Sequence, residues 1–308
     1  MIDDLVMVME IDSAEYVQNY SQLPFEWRGF TFSPHFRMGE VIKYVSEFRN
    51  LRLVINSTKL TVSSSLHKFY HGNNSGSFTW LEILDSLVQL YETFGEMVGF
   101  AQLKKLTFAC NLQIDAKPFL ERLISINGRA PVNMVGGVNH TSYGKYIKMT
   151  HKRNKIYDKK MEVHYHDQKK IIPSLRLEIE LNLKAAASRK KNPVILRSPI
   201  DLFEPCFISY CREELFTMIN QLEFSQDLLP SHCTCATDLE CFVLMKDLET
   251  RLSYKKLANP KTHRKKLKRY QELCQEFGSI DLKQTLLTMV QEKIDELAKA
   301  NLTLQKTG

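Results

Sequence analysis

Lys155, Tyr157 and Lys159 lie two residues apart in the stretch KIYDKKMEV. On an extended chain, side chains at that spacing share a face. A tyrosine hydroxyl is a weak nucleophile because its pKa lies near 10. Cations beside it favour the phenolate and also attract a phosphate, so they can activate the nucleophile without a dedicated base. The same pattern also suits a core tyrosine, one of 12 in the chain, beside two solvated lysines.

A second stretch, SLRLEIEL, alternates strictly. Leu175, Leu177, Ile179 and Leu181 form one face of a half-buried strand, and Arg176, Glu178 and Glu180 form the other. Two carboxylates on one face suit a hard cation such as Mg²⁺ or Mn²⁺, which prefers oxygen ligands. They suit equally a surface strand with cross-strand ion pairs.

The charge distribution points to a polyanion. Net charge is +7 over 308 residues. Residues 143 to 170 hold nine Lys/Arg against three acids, and residues 251 to 270 hold nine and none. Those two segments carry +6 and +9, which leaves −8 on the rest of the chain. Solubility does not require such clustering, whereas nucleic-acid binding does. Candidate DNA contacts are His67, Lys68, His71, Lys152, Arg153, Arg264, Lys265 and Lys268.

Other classes fall away. The 44% hydrophobic content is globular. No apolar run reaches membrane-spanning length. The acidic start MIDDLVMVMEID does not resemble a signal peptide. Seven cysteines, an odd number, suit reduced thiols in a cytoplasm. His232, Cys233, Cys235 and Cys241 lack the spacing of a structural zinc site. There is no Walker phosphate loop, hence no sign of a helicase motor, and no aromatic-glycine RNA-binding signature.

The tyrosine and acid stretches together resemble the gene II/gene X replication proteins of filamentous phages and their plasmid-borne and Bacteroidetes relatives. That family consists of rolling-circle replication initiators. It sets a tyrosine in a short hydrophobic-Tyr-x-Lys context, here IYDK from Ile156 to Lys159, and follows it with an Arg-hydrophobic-Glu strand, here Arg176 to Glu178. SLHKFYHGNNSGSFTW (Ser65 to Trp80) is similar to the segment before the family's first long helix. FACNLQI (Phe108 to Ile114) is similar to its central strand, and MIDDL to its N-terminus. The likeness covers roughly the first 200 residues and rests on the order and spacing of these stretches. The phage proteins carry an aspartate on the central strand where this chain has Asn111, and Asp115 on the same face is the candidate substitute.

The resemblance implies site- and strand-specific nicking and joining of DNA through a 5′-phosphotyrosyl intermediate. Tyr157 would be the nucleophile, with Lys155, Lys159 and Arg176 neutralising charge. Glu178, with Glu180, Asn111 or Asp115, would hold Mg²⁺ or Mn²⁺. The partners would be a single-stranded or hairpin origin and a host helicase and polymerase in a bacterial cytoplasm. A non-catalytic DNA-binding repressor on the same scaffold is the alternative.

Residues 1–12 read as a first strand, and Leu51 to Ile55 with Leu60 to Ser64 as a hairpin. Leu66 to Ser77 reads as a loop. TWLE (Thr79 to Glu82) is a capping box that opens a helix closed by Gly95. Leu103 to Asp115 reads as a central strand. A helix opens at Pro118 and runs to Asn127-Gly128, and Gly136-Gly137 marks a turn. Tyr143 to Met149 and Lys155 to Val163 read as strands joined at residues 151–154. The pair His164 and His166 would share a side if that stretch were extended. Lys184 to Pro193 is the expected boundary between a nicking domain (1–190) and a helical DNA-binding region (191–308). Beyond it, helices are expected over Pro205 to Leu222, Leu239 to Leu252 and His263 to Phe277, with a last one opened by Asp281 and Gln284. The fold class that follows is α+β, a largely antiparallel sheet with packed helices and a mostly helical C-terminal region.

Overall fold

The computed structural model describes residues 2–12, 23–73, 78–136, 140–167, 174–188, 196–226, 228–277 and 281–304. The first strands are β1 (Ile2–Glu10), β2 (Phe25–Trp27), β3 (Phe30–Arg37), β4 (Glu40–Phe48), β5 (Leu51–Asn56) and β6 (Lys59–Ser65). Two helices follow, α1 (Leu66–His71) and α2 (Trp80–Phe94). Next come β7 (Gln102–Leu112), α3 (Lys117–Arg122), β8 (Leu123–Ile126), β9 (Val132–Gly136), β10 (Thr141–Lys148) and β11 (Lys152–Asp158). Helix α4 (Lys159–Asp167) leads to β12 (Leu175–Asn182). Beyond it the longer elements are α5 (Pro205–Asn220), β13 (Leu222–Phe224), α6 (Ala236–Met245), α7 (Leu248–Leu257), α8 (Pro260–Phe277) and α9 (Leu282–Leu304), with helices of five residues or fewer left unlabelled.

Eleven strands join in the order β2-β3-β4-β5-β6-β1-β7-β12-β11-β10-β9, with every pairing antiparallel, and β8 pairs with β13 in a small second sheet. The fold class is therefore α+β, as the sequence implies. The sheet's apolar face carries Ile2, Leu5, Leu106, Phe108, Leu177 and Ile179, all nearly inaccessible, and buries them under α2, α5 and α9. Helices α5 and α9 lie beyond residue 190 yet share this core with the sheet. Helices α6 and α8 enclose a smaller cluster built on Phe242, Met245, Tyr270 and Leu273. No described helix is long and apolar enough to cross a membrane.

The capping box at Thr79 and Glu82 forms, and Gly95 ends α2. Several expectations need correcting. Residues 66–71 are helix rather than loop: Ser65 accepts a hydrogen bond from the Lys68 N–H, and Gly72 takes the left-handed conformation that closes the turn. The helix opened near Pro118 stops at Arg122, because Leu123–Ile126 is claimed as a strand by β13. β11 begins at Lys152, and the chain turns into helix at Lys159, so the expected strand to Val163 is split. His164 and His166 thus lie on helical rather than extended backbone. β12 is buried on both faces rather than one, because the side chains of Lys155, Tyr157, Asn111 and Asp3 close over Arg176 and Glu178 on its polar face. The helix expected over Leu239 to Leu252 is two helices, because Asp247 caps a new one through the Thr250 N–H. The turn at Gly137 lies outside the described residues, as do residues 189–193 of the expected 184–193 boundary; the first part of that stretch is a short helix, Leu183–Ala187, rather than a break.

Phe108 is fully buried at the centre of β7 against the Tyr210 ring. Phe108→Ala is expected to lower unfolding free energy by about 3–5 kcal/mol, read as a shift in urea midpoint without a change of slope.

Candidate active site

The central strands bring the charged stretches together by register. Tyr157 pairs with Arg176, and Lys155 with Glu178. On the other side of β12, Arg176 pairs with Asn111 and Glu178 with Ala109. Period two then sets Tyr157, Lys155, Arg176, Glu178, Glu180 and Asn111 on one face, opposite the apolar core.

The hydrogen bonds converge on Glu178. Its Oε1 accepts from Lys155 Nζ at 2.6 Å, and its Oε2 from the Tyr157 hydroxyl at 2.8 Å and Arg176 Nε at 3.0 Å. Arg176 also donates to Asn111 Oδ1 at 3.0 Å and to Asp3 Oδ2. Asp3 Oδ1 accepts from the Ser65 hydroxyl at 2.8 Å. Tyr157, Arg176 and Glu178 are each 5% exposed or less. Glu180 lies near Lys155 at 3.3 Å, Lys105 at 3.4 Å and Arg153 at 3.7 Å. Lys159 reaches the site from α4, not from the strand; it is 1% exposed and donates to Glu162 at 2.7 Å.

Charges here are strongly coupled. Burial pushes the Glu178 pKa up, but Arg176 and Lys155 more than offset it and hold it at about 2. Burial carries the Tyr157 hydroxyl well above 10; Arg176 opposes that shift and Glu178 adds to it. The expectation that neighbouring cations leave Tyr157 readily ionised is therefore overturned: a buried phenol bonded to a carboxylate holds its proton. Burial lowers the Lys159 pKa, and Arg176 lowers it further.

Three residues that sequence reading passed over complete the site. β1 pairs Ile2 with Phe108 and Leu5 with Leu106, so Asp3 and Asp4 together oppose Thr107. This bulge turns both aspartates toward the site, where strict alternation would separate them. Asp4 has a pKa raised to about 6 by burial, with Asp3 and Glu178 adding to it. The adjacent acids in MIDDL were the available signal, but a bulge cannot be read from alternation. The third residue is Gly144, opposite Tyr157 on β10: a Cβ there would fall 2.2 Å from the Tyr157 Cβ. Only glycine lets β10 pass this close to the tyrosine.

The expected metal ligands do not gather. β7 ends at Leu112, and Asp115 lies past it, accepting the Lys117 N–H at 3.1 Å and exposed. The Asn111 carbonyl oxygen is taken by Arg176, and both Glu178 oxygens are taken by cationic or hydroxyl donors. Among the described residues no three His, Cys, Asp or Glu side chains are arranged to hold a metal ion. Glu178, Glu180, Asn111 and Asp115 do not fit a divalent ion in this arrangement, since Lys155 and Arg176 already supply the positive charge.

The expected DNA contacts divide. Lys152 points to the apolar side and pairs with Glu214 at 2.6 Å, so its position does not suit a DNA surface. His67 is buried, stacked on Phe78 with centroids 4.8 Å apart, and its Nε2 has no partner. Burial lowers its pKa to about 4, so it is neutral at pH 7. His71 sits 3.0 Å from Glu82. Lys68 is partly buried, and Arg153 lies over the Tyr146 ring. Arg264, Lys265 and Lys268 are exposed on α8.

No family model matches the chain, and no curated protein matches it. Among solved structures, the rolling circle replication initiator protein from Geobacillus stearothermophilus is similar over 74% of this chain and 87% of that one, with 13% identity and a TM-score of 0.40. At that identity and overlap, none of that protein's chemistry transfers residue by residue.

Two outcomes are expected of the site. Gly144→Ala should displace Tyr157 and cost about 1–3 kcal/mol, with the change of tyrosine environment visible in near-ultraviolet circular dichroism. The second concerns acid stability. Asp4 has its folded pKa raised to about 6 from 3.8, so its contribution is present at low pH and lost as pH rises through about 4 to 6. His67, depressed to about 4, acts the opposite way in nearly the same window, and Glu178, depressed to about 2, loses its contribution only below about pH 4.5. Subtracting the wild-type pH–stability curve from that of Asp4→Asn therefore isolates Asp4. The variant should gain relative stability between pH 4 and 6, and an unchanged difference there would contradict the assignment.

Proposed function

We propose that this chain is a rolling-circle replication initiator that nicks and rejoins one DNA strand through Tyr157. The observation that carries the reading is the Tyr157 hydroxyl bonded to Glu178 inside a shell of Lys155, Arg176 and Lys159. A nucleophile, a proton acceptor and cations for a phosphate converge there on one sheet face.

In the proposed step the Tyr157 oxygen attacks phosphorus, the bond from phosphorus to the 3′ oxygen breaks, that oxygen takes a proton from water, and a 5′-phosphotyrosine forms. The freed 3′-hydroxyl primes a polymerase, and reversal of the step rejoins the strand. Activation follows from the charges. Lys155 and Arg176 hold Glu178 too acidic to take a proton. An arriving phosphate draws those two cations toward itself, and Glu178 then becomes basic enough to accept the Tyr157 proton. The cations in turn stabilise the charge that gathers on the phosphoryl oxygens. Burial of Tyr157 means the site must open for DNA to enter.

The saturated state of Glu178 and the high pKa of Tyr157 also support a second reading, a DNA-binding repressor that keeps the scaffold without turnover. In that reading the exposed Arg264, Lys265 and Lys268 carry the function alone.

A covalent-trapping gel separates the two readings. The protein is mixed with labelled single-stranded and hairpin oligonucleotides, with Mn²⁺ or with chelator, beside Tyr157→Phe. A denaturant-resistant protein–DNA band lost in the variant is expected. A band that persists in Tyr157→Phe moves the nucleophile to another tyrosine, and salt-sensitive binding without any band favours the repressor.

A further inference from the structure

A cleft of about 740 Å³ opens between the β8–β13 sheet, α8 and the start of α9, away from the tyrosine site. Its volume is that of a small-molecule site. Six carboxamides line it: Asn127, Asn220, Gln221, Gln226, Gln271 and Gln275. The charges on its wall are already engaged. Glu223 takes the Arg251 guanidinium on one oxygen and the Ser125 hydroxyl, at 2.8 Å, on the other. Asp281 accepts the Gln284 N–H at 2.9 Å, and Lys283 donates to the Asn220 carbonyl at 3.1 Å. The Gln221 amide oxygen is buried without a donor. What the cleft offers is therefore paired neutral donors and acceptors rather than charge.

Helix α8 connects this cleft to the basic surface. Arg264, Lys268, Gln271 and Gln275 are spaced four, three and four residues apart, which places them on one stripe of the helix. The stripe is about 16 Å long. All four are exposed; the first two are cationic, and the second two line the cleft. A cationic track leading into a neutral, amide-lined cavity matches a nucleotide whose phosphates stay outside and whose base goes in. Carboxamides pair with base edges, because every unpaired base offers a donor beside an acceptor and a carboxamide offers the complement.

We propose that this cleft binds an unpaired nucleobase of a single strand tracking along α8. The inference rests on the reading of the chain as a DNA-binding protein and names a second contact for the same strand.

The test uses the full chain and no nicking. Fluorescence anisotropy would measure binding of 5′-labelled 12-mers of dA, dC and dT and of an abasic 12-mer at fixed salt. The three base-bearing oligomers are each expected to bind more tightly than the abasic one. Gln271→Ala with Gln275→Ala should weaken dA binding roughly tenfold and leave the abasic oligomer unchanged. Lys268→Ala should weaken all four about equally and reduce the salt dependence. Gln226→Ala, on another part of the wall, repeats the measurement should the double variant fail to fold. Equal affinity for dA and abasic oligomers, or equal loss on both in the glutamine variants, overturns the cleft assignment while leaving DNA binding intact. No salt-sensitive binding of any oligomer overturns both.

Discussion

The guanidinium of Arg176 ties three strands together at the centre of the sheet. It reaches Glu178 on its own strand, Asn111 on β7 and Asp3 on β1, and its Cζ lies 6.0 Å from the centre of the Tyr157 ring on β11. A cation with so little exposure is tolerable only when its donors are spent on well-placed acceptors. Arginine suits this role because its planar fork is fixed and spans all three acceptors, which the compact ammonium of a lysine would not. The polar face of the sheet is thus organised outward from one side chain, and the tyrosine keeps its proton because it is buried, against the pull of that charge.

This arrangement explains why an apolar-looking sheet interior contains so many ionisable groups. On one face, β7 and β12 supply Phe108, Leu177 and Ile179 to a core covered by helices. On the other, the same strands supply groups that would each be costly to bury alone. Cross-strand register makes them mutually satisfying: Lys155 stands opposite Glu178, and Arg176 opposite Asn111. A rigid, closed network of this kind preorganises the groups but also restrains them, so chemistry requires an incoming anion to compete for the cations.

Much of this was legible in the chain because it depends on period two. SLRLEIEL announces its faces, and IYDK supplies the tyrosine that its register brings next to them. The capping box at Thr79 is equally local and formed as read. What could not be read depends on departures from periodicity or on distant partners. The bulge that turns both Asp3 and Asp4 inward breaks alternation. Asp115 leaves the site because β7 ends three residues earlier than its polarity suggests. Lys152 reads as part of a basic run, yet its strand phase sends it to the helical side, where Glu214 of α5 waits 62 residues away. The run β2 to β4 carries no signal strong enough to announce itself beside the hairpin that follows it.

The position of β1 carries a consequence for how the protein comes into being. The first strand of the chain is an interior strand of the sheet, held between β6 and β7, and β12 then adds to β7. Its neighbours on the polar face come from residues as far along the chain as 176. Contacts so distant in sequence form slowly, because loop closure must precede any reward. During synthesis, β1 has no partner on one side until β7 is made, and its aspartates have no arginine until β12 follows. Until then it is an unpaired, apolar edge of the sort that invites misassembly. The residues gathered around Tyr157 are thus among the last features of the sheet to exist, and a chain cut short before β12 has none of them in place.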